Sequence, residues 1–246
     1  ILEPSSGNTG ISLALIGSLQ GHPVRIVMPD NTTKEREQLL RLYGAEIVFS
    51  PGNEGSNGAI RLAQDLSAAD PSLFVPYQYG NPANPGAHEA TTGPEILAAV
   101  PDVDAFVAGL GTGGTLTGVG RFLKRERPGV RIIAAEPLPG ELVQGLRSLD
   151  EGFVPPVLDA SVLDDRILVS NPDAVAGTRR LLREEGIFAG FSSGAVLHVA
   201  LRVAAEMDEG RIVVLLADGG WKYLSTGIFD RDPDELEDEL ERSLLW

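Results

Sequence analysis

Hydroxyls, an amide and closely spaced glycines crowd into Glu3-Pro4-Ser5-Ser6-Gly7-Asn8-Thr9-Gly10, and a second run of the same character is Gly109-Leu110-Gly111-Thr112-Gly113-Gly114-Thr115. Glycines let a backbone approach a ligand closely, and successive N–H groups at a helix start form a positive concavity suited to phosphate or carboxylate. Each run follows apolar residues of strand type and opens a stretch of helical period, which puts both at the carboxyl edge of a sheet, where open α/β folds bind ligands.

The glycines of the second run, followed by Glu136 at the end of the next apolar run, admit two ligands. One is a dinucleotide, with the acid on a ribose hydroxyl. The other is a single phosphate, held by backbone N–H groups and the hydroxyls of Thr112 and Thr115. The first run favours the second ligand: its hydroxyls and N–H groups suit a substrate carboxylate, for which dinucleotide binding has no use. Its plainer reading is a helix cap supplied by Ser6 or Asn8.

The elements that must position these loops alternate along the whole chain. Strand-like runs fall at 24–28, 45–49, 73–77, 104–110, 130–136, 167–170 and 212–216, with helical periods at 11–20, 33–43, 57–68, 86–99, 115–127, 173–185 and 195–207 between them. Such alternation predicts a parallel sheet with crossover helices. Asn31 or Thr32 is the expected cap of the second helix, and Asn171-Pro172-Asp173 opens the sixth. Residues 137–165 break the pattern with Gly, Pro and Asp, the mark of a functional excursion. From 231 to 246 leucines recur among acids, which predicts a short amphipathic tail. Ile1-Leu2-Glu3 reads as the end of a strand, and the expectation is that an upstream segment exists.

With 246 residues and a net charge of 20 − 35 = −15, the chain suits one large or two small domains and disfavours nonspecific attraction to nucleic acid or anionic lipid. It has no cysteine, so disulfides and thiolate metal sites are excluded, and a cytoplasmic setting is expected. No apolar run approaches the ~20 residues of a membrane helix. His22, His88 and His198 lack metal-ligand spacing and are expected in packing or surface roles, with no metal.

The two runs resemble the cysteine synthase family of pyridoxal phosphate enzymes. So do Tyr77-Gln78-Tyr79-Gly80-Asn81-Pro82-Ala83-Asn84, Thr92-Gly93-Pro94-Glu95, Gly186-Ile187-Phe188-Ala189-Gly190-Phe191-Ser192-Ser193-Gly194 and Tyr223-Leu224-Ser225-Thr226, in the family's order from end to end of the chain. The resemblance implies a doubly wound α/β fold of the tryptophan synthase β-like type (pyridoxal phosphate fold type II), with two domains and a cleft between them. Residues 1–78 would be the remainder of the smaller, mobile domain, 79–230 the cofactor domain and 231–246 the tail. Gly111, Thr112, Gly113, Gly114 and Thr115 would cradle the phosphate of pyridoxal 5'-phosphate, Asn8 would bond its ring hydroxyl and Ser192 would meet its pyridine nitrogen. Ser5, Ser6, Thr9 and Gln78 would hold the substrate carboxylate. The family's cofactor-linking lysine lies upstream of the segment matching Ile1. Lys34, Lys124 and Lys222 do not replace it, so no catalytic residue is expected within residues 1–246, which alone are expected to be inactive.

Within the family, Ala134-Ala135-Glu136-Pro137, Leu146-Arg147-Ser148-Leu149-Asp150-Glu151-Gly152-Phe153-Val154-Pro155, Gly220-Trp221-Lys222-Tyr223 and the end Leu244-Leu245-Trp246 resemble the actinobacterial type that uses O-phosphoserine. That likeness implies that Arg147 contacts the substrate phosphate, since a guanidinium pairs bidentately with a dianion and gains nothing from an acetyl ester. The plainer reading pairs Arg147 with Asp150 or Glu151. The activity implied is β-replacement, making cysteine from an activated serine and a sulfur donor. The likeness also implies a homodimer, a possible thiocarboxylated sulfur-carrier partner, and a tail that closes over the site. The competing readings are an O-acetylserine sulfhydrylase or cystathionine β-synthase type enzyme, a dinucleotide-dependent oxidoreductase, and a noncatalytic relative.

Overall fold

The computed structural model describes residues 1–141 and 143–231. The expected acidic tail lies outside the described residues. The chain divides into two units, one formed by Ile1–Gln78 together with the chain from Trp221 onward, the other by Tyr79–Gly220. The sequence reading carried the second domain to residue 230. Residues 221–230 belong instead with the first unit, where Thr33 Oγ1 donates to the Lys222 carbonyl at 2.8 Å and Ser225 Oγ donates to Glu35 at 2.8 Å.

The first unit is built on a parallel sheet of β1 (Leu2–Pro4), β2 (Arg25–Pro29) and β3 (Glu46–Ser50), in that order, with helices α1 (Asn8–Gln20), α2 (Lys34–Leu42) and α3 (Gly55–Ala69). Leu2 and Val27 pack with Ala59 and Ala63 of α3, while Ile26 and Met28 point the other way, toward Ala14 of α1 and Leu40 of α2. That two-sided burial is why these strands read as continuous apolar runs. The run at 73–77 forms no strand. Pro76 has no N–H for a ladder, and Tyr77 turns to φ 54°, which ends any extended pairing.

The second unit opens with α4 (Ala83–Ala87), a π-helical turn at His88–Thr92 and α5 (Gly93–Ala99), where a single helix over 86–99 was expected. Then follow β4 (Ala105–Gly109), α6 (Gly114–Glu126), β5 (Arg131–Pro137), β6 (Asp165–Val169), α7 (Asn171–Glu185), α8 (Phe191–Ala205) and β7 (Ile212–Val214). The strands are parallel in the order β6-β5-β4-β7. The chain winds from β4 outward through β5 and β6, then returns to the other side of β4, so the loop after β4 stands at the topological switch point. Phe106, Ala108, Ile132 and Ala134 form its core with Leu116, Val119 and Leu123 of α6. Ser170 caps α7 by accepting from the Asp173 N–H, one residue before the expected position.

Candidate functional site

In the second unit, the loop after β4 turns into α6 through Gly113, whose φ of 81° is left-handed. A Cβ at Gly113 would lie 2.7 Å from Leu158 Cδ1, and one at Gly111 would lie 2.8 Å from the Gly145 carbonyl. The loop is therefore packed to the backbone, and the first-turn N–H groups of α6 lack intrahelical acceptors. Thr112 Oγ1 accepts from the Gly114 N–H at 3.2 Å and from Asn84 Nδ2 at 3.0 Å. Thr115 Oγ1 lies 3.1 Å from His88 Nε2, whose ring Nδ1 lies 3.0 Å from Thr92 Oγ1. His88 thus braces a loop hydroxyl, a role its sequence context did not signal. Burial lowers its pKa below the usual imidazole value.

Glu136 does not serve a ribose. Its fully buried carboxylate accepts the Leu149 N–H at 2.5 Å and faces Arg166 Nε at 3.5 Å. The acid that a dinucleotide would require is spent on bracing the segment after Arg147.

The loop, Ser192 and Arg147 converge. Ser192, at the start of α8, is buried, and a Cβ at Gly145 would stand 3.6 Å from its Oγ. The Arg147 N–H donates to the Leu110 carbonyl at 2.7 Å, beside the glycine loop. Its guanidinium, in a residue only 8% exposed, stands 4.8 Å from the Phe153 ring centroid and 5.5 Å from that of Tyr79; the two rings meet edge to face at 5.6 Å. Asp150 lies 3.7 Å from Arg166, so its carboxylate faces a different arginine from the one the plainer reading paired it with.

In the first unit, Asn8 begins α1 and the loop before it is folded by Ser5. Ser5 Oγ accepts the Gly10 N–H at 3.1 Å and the Gly7 N–H at 3.4 Å, so Ser5 does the work that a cap by Ser6 or Asn8 would have done. A Cβ at Gly10 would meet the Ser5 carbonyl at 2.5 Å, which explains the glycine. Thr9 Oγ1 donates to Gln78 Oε1 at 2.8 Å, and Gln78 Nε2 donates to the Pro4 carbonyl at 3.3 Å. Ser6 is half-buried in the same loop. The expected carboxylate-binding set, Ser5, Ser6, Thr9 and Gln78, therefore shares one loop and its immediate neighbour.

Of the three lysines, Lys34 is exposed and Lys124 pairs with Asp164 at 2.8 Å. Lys222 is 1% exposed and its Nζ donates to Asn8 Oδ1. The sequence reading gave Lys222 no part in the site, and nothing local in Gly-Trp-Lys-Tyr marks it.

The donor sets fit pyridoxal phosphate: a glycine cradle that a Cβ would fill and a helix start for the phosphate, and a buried neutral hydroxyl at Ser192 for a ring nitrogen. Among the described residues no cluster of His, Asp and Glu could hold a metal ion, and no helix is long and apolar enough to cross a membrane.

Comparison with known proteins agrees with this inventory. Residues 1–218 match the family described as pyridoxal-phosphate dependent enzyme. The chain is 44% identical over 242 residues to a cysteine synthase of Staphylococcus aureus, covering 94% of this chain and 78% of that protein. Among solved structures it is similar to O-ureido-L-serine synthase, at 40% identity and a TM-score of 0.86, covering 96% of this chain and 79% of that one. It is similar also to a lysine-to-alanine mutant of that synthase bound to O-ureido-L-serine, at 40% identity and a TM-score of 0.87, covering 98% and 79%.

Proposed function

The chain belongs to the cysteine synthase family of pyridoxal-phosphate dependent enzymes, and from that premise we propose that it serves β-replacement on O-phospho-L-serine, the phosphate leaving the β-carbon and a sulfur nucleophile taking its place to give L-cysteine. Pyridoxal phosphate, when bound, supplies the electron sink for this chemistry. Residues 1–246 would supply the contacts that hold and orient cofactor and substrate, the lysine that links the cofactor being expected upstream. Gly111, Thr112, Gly113, Gly114 and Thr115 hold the cofactor phosphate, Asn8 donates to the ring hydroxyl, and the Ser192 hydroxyl meets the ring nitrogen. A neutral partner there withdraws less charge than an aspartate, which favours loss of the β-substituent. Ser5, Ser6, Thr9 and Gln78 orient the substrate through its carboxylate.

The observation that carries the choice of O-phosphoserine is Arg147, a largely buried guanidinium set 5.5 and 4.8 Å from the ring centroids of Tyr79 and Phe153. A guanidinium set among aromatic rings is poorly hydrated, which strengthens its attraction for an anion, and a phosphate dianion can accept two parallel N–H bonds from it. An acetyl ester, or the ureido group of the similar synthase, carries no charge to meet it. For sulfur, free sulfide, thiosulfate and a thiocarboxylated carrier protein are the candidate donors, and the working unit in this reading is a homodimer in the cytoplasm.

Steady-state turnover with sulfide tests the reading, in cofactor-loaded protein in which the upstream segment carrying the family's cofactor-linking lysine is joined to residues 1–246, with O-phospho-L-serine, O-acetyl-L-serine and O-ureido-L-serine compared side by side. The expected result is the highest kcat/KM on the phosphorylated substrate. A preference for either neutral leaving group contradicts it.

A further inference from the structure

Glu3, next to last in β1, is fully buried, yet among the described residues no cation pairs with its carboxylate. Its Oε2 accepts the Tyr77 N–H at 2.8 Å and its Oε1 the Gln78 N–H at 3.0 Å. Those two amides lie outside any strand or helix, in a segment that must end with Gln78 beside the loop of Ser5 to Thr9. Tyr77 sits at φ 54°, a conformation that an aromatic L-residue adopts only where its surroundings impose it. A carboxylate accepting two consecutive peptide N–H groups is such an imposition, because bonds to a charged acceptor are the strong ones and only a carboxylate offers two matched oxygens. Burial pushes the Glu3 pKa up against these two bonds. The chain therefore keeps a poorly solvated acid where an apolar residue would pack at less cost, and the place it keeps it is the backbone that carries Gln78.

We infer that Glu3 is a positioning residue: by gripping the Tyr77 and Gln78 amides, its carboxylate sets the Gln78 side chain where it takes the carboxylate of the amino-acid substrate. This rests on the reading of Gln78 given under Proposed function. Gln78 Oε1 accepts from Thr9 and one Nε2–H goes to the Pro4 carbonyl, so the direction of its other Nε2–H, the kind of group a carboxylate accepts from, is set by the backbone beneath. The substrate carboxylate is common to every candidate amino acid, so the effect of Glu3 is independent of the leaving group.

The test is a double-mutant cycle with Glu3→Gln and Gln78→Ala, measuring calorimetric affinity of the cofactor-loaded protein for O-phospho-L-serine and for O-acetyl-L-serine, together with affinity for pyridoxal phosphate. Glu3→Gln is expected to weaken both amino acids alike, roughly tenfold, to leave cofactor affinity unchanged, and to add nothing further in the Gln78→Ala background. Unchanged amino-acid affinity in Glu3→Gln, or an effect that persists in full without Gln78, overturns the inference while the carboxylate site stands. If Gln78→Ala alone leaves affinity unchanged, the carboxylate site itself fails and the inference with it. Amide hydrogen exchange in the unmutated protein gives a check that needs no variant: Tyr77 and Gln78 are expected to exchange as slowly as the neighbouring strands, and rapid exchange there overturns the inference.

Discussion

The Lys222 ammonium donates to Asn8 Oδ1 across 214 residues of sequence. An ammonium can only donate, so it fixes which way the Asn8 amide faces: the oxygen toward Lys222, the two N–H donors away from it. That is the orientation needed to bond a ring hydroxyl oxygen.

Asn8→Asp keeps an acceptor for Lys222 and removes the donors. Thermal stability is expected to be equal or higher, since a buried ammonium gains a carboxylate partner, while affinity for pyridoxal phosphate falls roughly tenfold with the loss of one net hydrogen bond to a polar group. A parallel loss of stability and affinity would assign Asn8 to structure.

The lysines carry a second expectation. Borohydride reduction of the protein loaded with pyridoxal phosphate, followed by peptide mass mapping, is expected to leave Lys34, Lys124 and Lys222 unlabelled. Lys34 is on the outer surface, Lys124 is paired with Asp164, and Lys222 is engaged by Asn8. Label on Lys222 would make it a cofactor-linking residue and contradict the family reading.

The turn from β4 into α6 was legible because its signals are local, whereas its reading as a phosphate cradle rests on the family resemblance. A strand, glycines and threonines in succession, then a helical period mark a glycine loop at 109–115 without any knowledge of the rest. What surrounds it was not, because the partners come from far along the chain: Asn84 and His88 on two loop hydroxyls, Gly145 against Gly111, Glu136 on the Leu149 N–H. The strand expected at 73–77 failed for a local reason that could have been weighed, since Pro76 cannot donate within a ladder. Its actual purpose, delivering two amides to Glu3, depends on a residue more than seventy positions earlier. The allegiance of residues 221–230 likewise rests on contacts with Thr33 and Glu35, which no nearby residue announces.

Gly113→Ala tests the cradle. Its left-handed φ costs an L-residue roughly 1–2 kcal/mol, and the new methyl would press on Leu158 at 2.7 Å. Urea unfolding is expected to show at least that loss together with weakened affinity for pyridoxal phosphate. Full stability and full affinity would mean that the loop does not need its observed shape.

His88 gives a pH dependence of definite sign. Burial lowers its pKa below 6.5 in the folded protein, so as pH falls through about 6.5 the unfolded chain takes up a proton that folded His88 resists. Stability is therefore full above that value and declines below it. Melting temperature from pH 7.5 to 5.5 is expected to fall more steeply for the unmutated protein than for His88→Gln, and parallel profiles would contradict this.

The account turns on Arg147, and the most direct measurement is kcat/KM on O-phospho-L-serine and O-acetyl-L-serine before and after Arg147→Ala, in cofactor-loaded protein with the upstream lysine-bearing segment joined to residues 1–246. Losing a charge-assisted contact to phosphate costs about 1.5–3 kcal/mol, tenfold or more. The account predicts that loss on the phosphorylated substrate with little change on the acetylated one, so that the ratio of the two falls by at least ~10-fold. Equal losses on both substrates would contradict it.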